Sequence, residues 1–319
     1  MGAIESPARR GAFVYLHFPE HLHTHRIRSA MQSLWMLAAS LLFSLMAVCT
    51  KLGAEHFSTF ELVFYRSLFG LAAIALWVLL TRRSLRTKFF FSHMKRSFFG
   101  TLGLTIWFWT LGVLPLGTSM TLNYTSPLYM ALFISVLTLR TGGRPSAGLL
   151  AAVAAGFVGV VLALRPEVHA GEEAAALIGL TSGFFSALAY MQVKGLTKLG
   201  EPDWRIVFYF TLFGTVCGLL GQLFTAGGLT PVHAENLPAL LGIGVTATLA
   251  QLCLTRAWGA GNMLLTSALQ FSAIVFAAVL GFVVFAEPIS PATAAGIAII
   301  ICAGVSATVL TKKSAAKRS

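Results

Sequence analysis

Long apolar runs separated by short polar joints make up the chain from Gln32 onward. An α-helix rises 1.5 Å per residue, so about 20 apolar residues are enough to cross the hydrocarbon core of a bilayer. No joint is long enough for a soluble domain. The pattern therefore predicts an all-α integral membrane protein with ten transmembrane helices, at 32–50, 59–81, 97–113, 117–139, 147–164, 174–193, 206–225, 238–256, 262–285 and 292–310.

One phrase occurs twice in this pattern. Residues 63–70 read VFYRSLFG, and 144 positions later residues 207–214 read VFYFTLFG. Gly117 and Gly261, at the starts of the fourth and ninth predicted helices, are separated by the same interval. Each copy is therefore about five helices long. Because five is an odd number, the second copy must enter the membrane from the opposite side.

The chain is thus predicted to contain two inverted five-helix repeats, at residues 32–164 and 174–310. A disordered cytoplasmic tail is expected at residues 1–31, and a basic cytoplasmic tail at 311–319. Two halves related by an axis in the membrane plane can exchange inward-open and outward-open shapes around one central site, as transporters do. The alternative is that the duplication only supplies a stable helical scaffold.

Composition agrees with a membrane protein, because 56% of the residues are hydrophobic and 11% are charged. Soluble domains have about 45–50% apolar and about 25% charged residues. The net charge of +12 would suggest a nucleic-acid partner in a soluble protein. Here the basic residues lie in the joints and indicate topology instead, so we predict no nucleic-acid partner.

The joints divide unequally by charge. If the N-terminus is cytoplasmic, the outer joints hold only Lys51 and Arg165. The positive-inside rule then predicts an inner-membrane protein with both termini in the cytoplasm. The basic residues of the inner joints are Arg82, Arg83, Arg86, Lys88, Lys95, Arg96, Arg140, Arg144, Lys194, Lys198, Arg205 and Arg256.

Several motifs carry a family resemblance. KLG at 51–53, FELVFYR at 60–66 and a fourth helix with Pro127 before a basic joint resemble the drug/metabolite transporter superfamily. The ending AEPISPATAAGIAIIICAG at 286–304 is similar to the closing motif of an EamA repeat. The resemblance covers residues 32–310 and implies ten helices, a central cavity between the repeats and solute transport without ATP.

The chain departs from the pattern of this family at one place. Many members have an acidic residue at the end of the fourth helix, whereas here Arg140 and Arg144 stand there. No Asp or Glu occurs between Glu61 and Glu167. A role that requires paired acids is therefore not expected.

Arg66 lies inside the second predicted helix, where an arginine costs about 2.5–3.5 kcal/mol near the bilayer centre. In one interpretation it pairs with Glu287, Glu61 or helix-end carbonyls and locks the bundle. In the other, its planar fork faces the cavity and binds a carboxylate or phosphate. Glu61 and Glu287 are also the candidates for a gate or for proton coupling.

Polar and aromatic side chains stranded in apolar helices are further candidates for substrate binding. Amides facing lipid would lack hydrogen-bond partners, so these residues are expected to face protein or water. Pro127 is predicted to bend the fourth helix, while its counterpart Phe271 is expected to keep the ninth helix regular. The candidates are Trp107, Trp109, Asn123, Tyr124, Ser126, Tyr190, Gln192, Gln251 and Gln270.

No carboxylate lies in the middle of a predicted helix, which disfavours a cationic substrate. We therefore predict a secondary transporter for a small zwitterionic or anionic metabolite such as an amino acid. A channel or a membrane-embedded enzyme is the alternative, but HExxH, Walker and close intramembrane acid-pair motifs are missing from the sequence. No cofactor or metal is predicted, and the three histidines of HLHTH at 21–25 are interpreted as part of a solvated tail.

Small residues recur along two predicted helices, at Ala151, Ala155 and Gly159 in the fifth and from Gly296 to Gly304 in the tenth. Such rows let helix backbones approach closely. They would serve either packing within the bundle or a homodimer.

Overall fold

The computed structural model describes residues 29–114, 116–164, 171–285 and 289–316, and all regular structure in these ranges is α-helical. In chain order the helices are α1 (Trp35–Gly53), α2 (Thr59–Leu80), α3 (Phe90–Val113), α4 (Leu116–Asn123), α5 (Ser126–Arg140), α6 (Ala147–Leu164), α7 (Glu173–Lys198), α8 (Asp203–Ala226), α9 (Leu237–Ala260), α10 (Met263–Gln270), α11 (Ser272–Phe285) and α12 (Pro291–Ala316).

Every predicted apolar run coincides with one helix or, for the fourth and ninth runs, with a pair of helices. The largest difference at a helix start is in α3, which begins at Phe90 and not at 97. The sequence pattern places the start of this helix after the charged pair Lys95 and Arg96, which is too late, because the helix already includes apolar residues before that pair. At the two ends of the chain, residues 29–33 are already helical and α12 extends to Ala316. The histidine run at 21–25 lies outside the described residues.

Helical segments in the described residues are long and apolar enough to cross a membrane in seven cases: Ser29–Gly53, Thr59–Leu80, Ser119–Arg140, Glu173–Lys198, Asp203–Ala226, Leu237–Ala260 and Met263–Val284. The apolar parts of α6 and α12 are shorter, and α3 carries Ser92, His93, Lys95 and Arg96 in its first two turns. Large apolar side chains such as Phe224, which is 86% exposed, cover the outside of the bundle. The chain is therefore a multi-span membrane protein.

Two of the long segments are each interrupted by a turn, and the two turns lie within three residues of the 144-residue interval. Tyr124 and Thr125 form a turn between α4 and α5, just before Pro127, which has no N–H to continue the helix. Phe271 forms a matching turn between α10 and α11. The expectation that Phe271 keeps its helix regular is therefore wrong. Hydroxyls at both turns bond the preceding helix, since Thr125 Oγ1 donates to Leu122 O (2.6 Å) and Ser272 Oγ donates to Leu269 O (2.7 Å).

Helices of the two sequence halves contact one another in reciprocal pairs. Helix α1 packs against α9 while α3 packs against α7, and α2 packs against α8. At the α2–α8 contact, a Cβ added to Gly70 would lie 2.9 Å from Thr211 Cγ2. A Cβ added to Gly214 would lie 3.2 Å from Ser67 Cβ. Gly70 and Gly214 occupy the same position of the repeated phrase, and so do Ser67 and Thr211. The two glycines therefore make the same kind of contact, each with the other copy of the phrase.

The small-residue rows lie where α6 packs against α12. A Cβ added to Gly159 would lie 2.8 Å from the carbonyl oxygen of Gly296, so the two backbones are nearly in contact. Gly159 and Gly296 therefore serve packing within the bundle, whereas Ala151 and Ala155 of the same row are exposed.

At one end of the bundle, called here the Glu201 end, the joint between α2 and α3 contacts the joint between α7 and α8. Glu201 in the joint 199–202 accepts a hydrogen bond from Thr87 Oγ1 (2.6 Å) and one from Arg205 Nη1 (3.0 Å). His93 Nε2 lies 3.2 Å from the same carboxylate. Burial raises the pKa of Glu201, but the bonds from Thr87, Arg205 and His93 outweigh it and leave that pKa below its ordinary value. The joint 81–89 is thereby fastened to the start of α8.

The opposite end is called here the Ser58 end. Ser58 and Glu61 form a capping box at the start of α2, in which Ser58 N donates to the Glu61 carboxylate (2.8 Å). The same carboxylate accepts a hydrogen bond from Thr230 N, and Ser58 Oγ donates to Gln222. The joint between α8 and α9 is thus held to the start of α2.

Candidate functional site

A cavity of about 90 Å³ lies at the centre of the bundle and is lined by helices of both sequence halves. Polar walls come from Ser40, Ser44 and Ser186, and apolar walls from Met36, Phe43 and Leu104. The structure brings seven of the predicted site residues together here: Arg66, Trp107, Asn123, Tyr124, Tyr190, Gln251 and Gln270.

Three predicted residues do not line the cavity. Trp109 is 39% exposed, because two residues after Trp107 the helix has turned by about 200°. Gln192 stands in the same relation to Tyr190. Ser126 is fully buried behind the wall, where its Oγ accepts a hydrogen bond from Gln270 Nε2 (3.1 Å).

The predicted acidic partners of Arg66 do not meet it within the described residues. Glu61 is 1% exposed and its carboxylate is occupied at the start of α2, far round the helix from Arg66. Glu287 lies outside the described residues. Glu201 takes part in two ion pairs, with His93 and with Arg205, and neither involves Arg66.

Arg66 lies instead beside a second arginine, and both face one aromatic ring. Cζ of Arg66 is 5.7 Å from the ring centroid of Phe210, and Cζ of Arg96 is 3.9 Å from the same centroid. Their exposed fractions are 4% and 2%. Nε of Arg66, and Nε and Nη1 of Arg96, make no hydrogen bond to any described residue. The site therefore presents cationic nitrogen atoms that no described residue pairs with.

Arg96 is the main site residue that sequence reasoning missed, because it was assigned to a cytoplasmic joint. The early start of α3 places it within the helix, while the neighbouring Lys95 is exposed. A signal was present four residues later, on the same helix face. A Cβ at Gly100 would overlap Nη1 of Arg96, so the absence of a side chain there allows the guanidinium to fold back along α3.

Hydrogen bonds and ring stacking hold the other walls in place. Tyr190 stacks on the fully buried Trp258, with ring centroids 4.9 Å apart and planes 11° apart. Ser44 Oγ donates to the carbonyl of Ala273 (2.8 Å) beside the turn at Phe271. A binding surface on such supported side chains changes little in shape when a ligand enters.

The central cavity continues towards the Ser58 end. A second cavity of about 360 Å³ lies there and shares Ala47, Trp107 and Met120 with the first. At the other end, the contacts of Glu201 hold the helix ends together. An anion entering from the Ser58 end would meet the two arginines at the bottom of this path.

Comparison with protein families gives one match that covers both sequence halves. The profile of the EamA-like transporter family matches residues 31–165 and again residues 173–309.

Several curated bacterial proteins are similar along most of their length. The pseudopaline exporter CntI of Pseudomonas aeruginosa (strain UCBPP-PA14) is 27% identical over 265 residues, covering 83% of this chain and 91% of that protein. A riboflavin transporter of Vibrio cholerae is 28% identical, with coverage of 79% and 84%. An S-adenosylmethionine uptake transporter of Rickettsia bellii is 24% identical, with coverage of 89% and 95%.

A solved crystal structure shows the same fold, with a TM-score of 0.77 at 20% identity over 89% of this chain and 99% of the other. The relatives are named as transporters, which excludes the enzyme alternative for this family. The family profile matches both halves of a chain that forms an apolar helical bundle with a central cavity, and this chain therefore belongs to the EamA-like transporter family.

Proposed function

We propose that the protein is a secondary transporter that moves a small anionic or zwitterionic metabolite by alternating access. The observation that carries this proposal is the central cavity, to which both halves contribute walls and in which Arg66 has no acidic partner among the described residues. Arg66, Tyr190, Gln251 and Asn123 are the proposed substrate-binding residues. A cationic substrate would be repelled from such a cavity.

The proposed architecture is two inverted repeats of five membrane-spanning helices. The contacts of α1 with α9 and of α3 with α7, which are reciprocal, support it. The helix interruptions at Thr125 and Phe271 also support it. The double match to the family profile supports it too. The joint 81–89 carries Arg82, Arg83, Arg86 and Lys88, and Lys198 and Arg205 flank the joint 199–202. We therefore place the Glu201 end in the cytoplasm of a bacterial cell and both termini with it.

The shape of the cavity supports alternating access. It is joined to the wider cavity at the Ser58 end, and the Glu201 cluster fastens the helices at the other end. In this proposal the structure is the outward-open state, and release of the Glu201 contacts accompanies opening to the cytoplasm.

The named substrates of the relatives are pseudopaline, riboflavin and S-adenosylmethionine. All are small metabolites with several polar groups. Their diversity supports a metabolite as the cargo of this chain and leaves its identity to the residues of the cavity.

Flux in proteoliposomes tests the proposal. The purified protein is reconstituted with a labelled panel of amino acids and organic acids, and counterflow is measured. We expect saturable flux of at least one anionic or zwitterionic compound, and its loss in Arg66→Ala. Trp109→Ala, on the exposed face of α3, serves as the control and should retain flux. Flux that rises linearly with concentration would indicate a channel, and normal flux in folded Arg66→Ala would overturn the proposed site.

A further inference from the structure

We infer that the central cavity binds an anion with two negative charges, which Arg66 and Arg96 neutralise together. This inference rests on the proposed transport function and narrows its substrate class. It is carried by the second guanidinium, since a single arginine would serve a monoanion equally well.

The charge of the cavity is the first step. Arg66 and Arg96 are both at least nine-tenths buried and carry unpaired nitrogens, and the described residues that line the cavity include no carboxylate. A buried charge without a partner is strongly unfavourable, and two like charges close together add repulsion. A monoanion would leave one positive charge uncompensated, whereas a dianion neutralises both.

The separation of the two guanidinium groups is the second step. Both distances, 5.7 Å from Arg66 Cζ and 3.9 Å from Arg96 Cζ, are measured to the same Phe210 centroid. The two carbons therefore lie no further apart than the sum of these distances. A short carbon chain with a carboxylate at each end can reach both at any separation up to this limit, and one phosphate group can reach both at the shorter separations. Each guanidinium can donate two hydrogen bonds to such a group.

The rest of the cavity suits a small carbon skeleton. Its volume of about 90 Å³ limits the size of the buried part. Leu104 and Trp107 offer an apolar wall, and Tyr190 and Gln251 offer hydrogen-bonding groups. A small organic dianion would thus place its charges at the arginines and its carbon atoms against the apolar wall.

Ligand binding to the detergent-solubilised full chain tests the inference without depending on flux. The probes are succinate and glutarate, the half-amide of each, butyrate and inorganic phosphate, titrated by isothermal calorimetry at pH 7.5. We expect at least one dianion to bind about 10- to 100-fold more tightly than its half-amide or butyrate, because one charge-assisted pair is lost. Preference for the dicarboxylates would show that the two negative charges of the ligand lie on separate groups. Preference for phosphate would show that they lie on one group.

Charge-matched variants assign the effect to Arg96. Arg96→Gln should reduce affinity for the dianion to the level of the half-amide while affinity for the half-amide changes less than about threefold. Lys95→Gln removes the same charge from the adjacent exposed position and should leave the preference unchanged. Gly100→Ala keeps the charge but displaces the guanidinium, so it should also reduce the preference, and it covers the case in which Arg96→Gln does not fold.

Equal affinity for a dianion and its half-amide would overturn the inference, and so would failure of every dianion to bind. Saturable flux of a monoanion without any preference for dianions would overturn it too but leave the proposed transport function intact. Tight dianion binding without flux would support the inference and contradict transport. The two proposals can therefore fail independently.

Discussion

Cζ of Arg66 lies 5.7 Å from the ring centroid of Phe210, and these two residues occupy the same position in the two copies of the repeated phrase, 144 residues apart. This position, one of the two at which the copies of the phrase differ, is thus one where they meet. An arginine in both copies would place like charges against each other. Phenylalanine in the second copy instead gives a cation–π contact, typically about 0.5–2 kcal/mol.

Ser126 and Gln270 show the same relationship, since they too are 144 residues apart and are joined by a hydrogen bond of 3.1 Å. Both lie beside the helix interruptions that border the cavity. Residues 144 positions apart therefore meet beside the central cavity in at least two places.

Phe210→Leu is predicted to destabilise the protein by about 1–2 kcal/mol, because it keeps an apolar side chain but removes the π face from both arginines. The measurement is the thermal unfolding midpoint in detergent. Phe224→Leu in the same helix, at a side chain that is 86% exposed, is the control. An equal effect of both variants would show that the ring contributes nothing through the cations.

The bond between Ser126 and Gln270 is predicted to give a coupling energy of about 0.5–1.5 kcal/mol in a double-mutant cycle of Ser126→Ala and Gln270→Met. Unfolding free energies of the four proteins are compared. The control cycle combines Ser126→Ala with Gln251→Met, whose amide bonds Thr255 and not Ser126. Additive effects in the first cycle would contradict a contribution of this bond to stability.

Gly218→Ala is predicted to destabilise the protein by about 1–3 kcal/mol. A Cβ there would lie 2.7 Å from the backbone nitrogen of Phe64 and 2.8 Å from its Cα, so α2 and α8 would have to separate. Gly195→Ala is the matched control, since a Cβ at that helical position meets nothing within 4 Å. Thermal melts should show no loss for Gly195→Ala, because alanine favours a helix over glycine. A well-tolerated Gly218→Ala would argue against close packing of these helices.

Glu201→Gln is predicted to lose about 1–3 kcal/mol of stability at pH 7, because it removes the carboxylate charge and one of the two acceptor oxygens that face Thr87, Arg205 and His93. The pKa of Glu201 is lowered in the folded protein, so its contribution is present above the unfolded pKa of about 4.3 and is lost as the pH falls through the folded pKa. Melting curves of wild type and variant should therefore differ near neutral pH and converge below about pH 4.

Glu55→Gln, at an exposed position of the opposite end, is the control for this comparison and should behave as wild type at each pH. A difference between wild type and Glu201→Gln that persists undiminished in acid would show that the carboxylate charge is not what stabilises the Glu201 end.

The apolar pattern of the sequence by itself located the helices. A segment in lipid must bond its backbone polar groups internally, which a helix does, and the side chains that it exposes to lipid must be apolar. The interval of 144 residues likewise identified equivalent positions such as Arg66 and Phe210. Amides such as Gln251 and Gln270 were recognised as facing the interior, since exposure to lipid would leave them unpaired.

The tertiary structure decided which side chains meet. Arg96, which the sequence places in a joint, lines the cavity, whereas Trp109 and Gln192 do not. The helix is interrupted at Phe271. Helical periodicity states which face of one helix is buried but not which neighbour covers it. That choice depends on how the surfaces of several helices interlock, and on small residues such as Gly100 and Gly214 whose effect exists only at the contact.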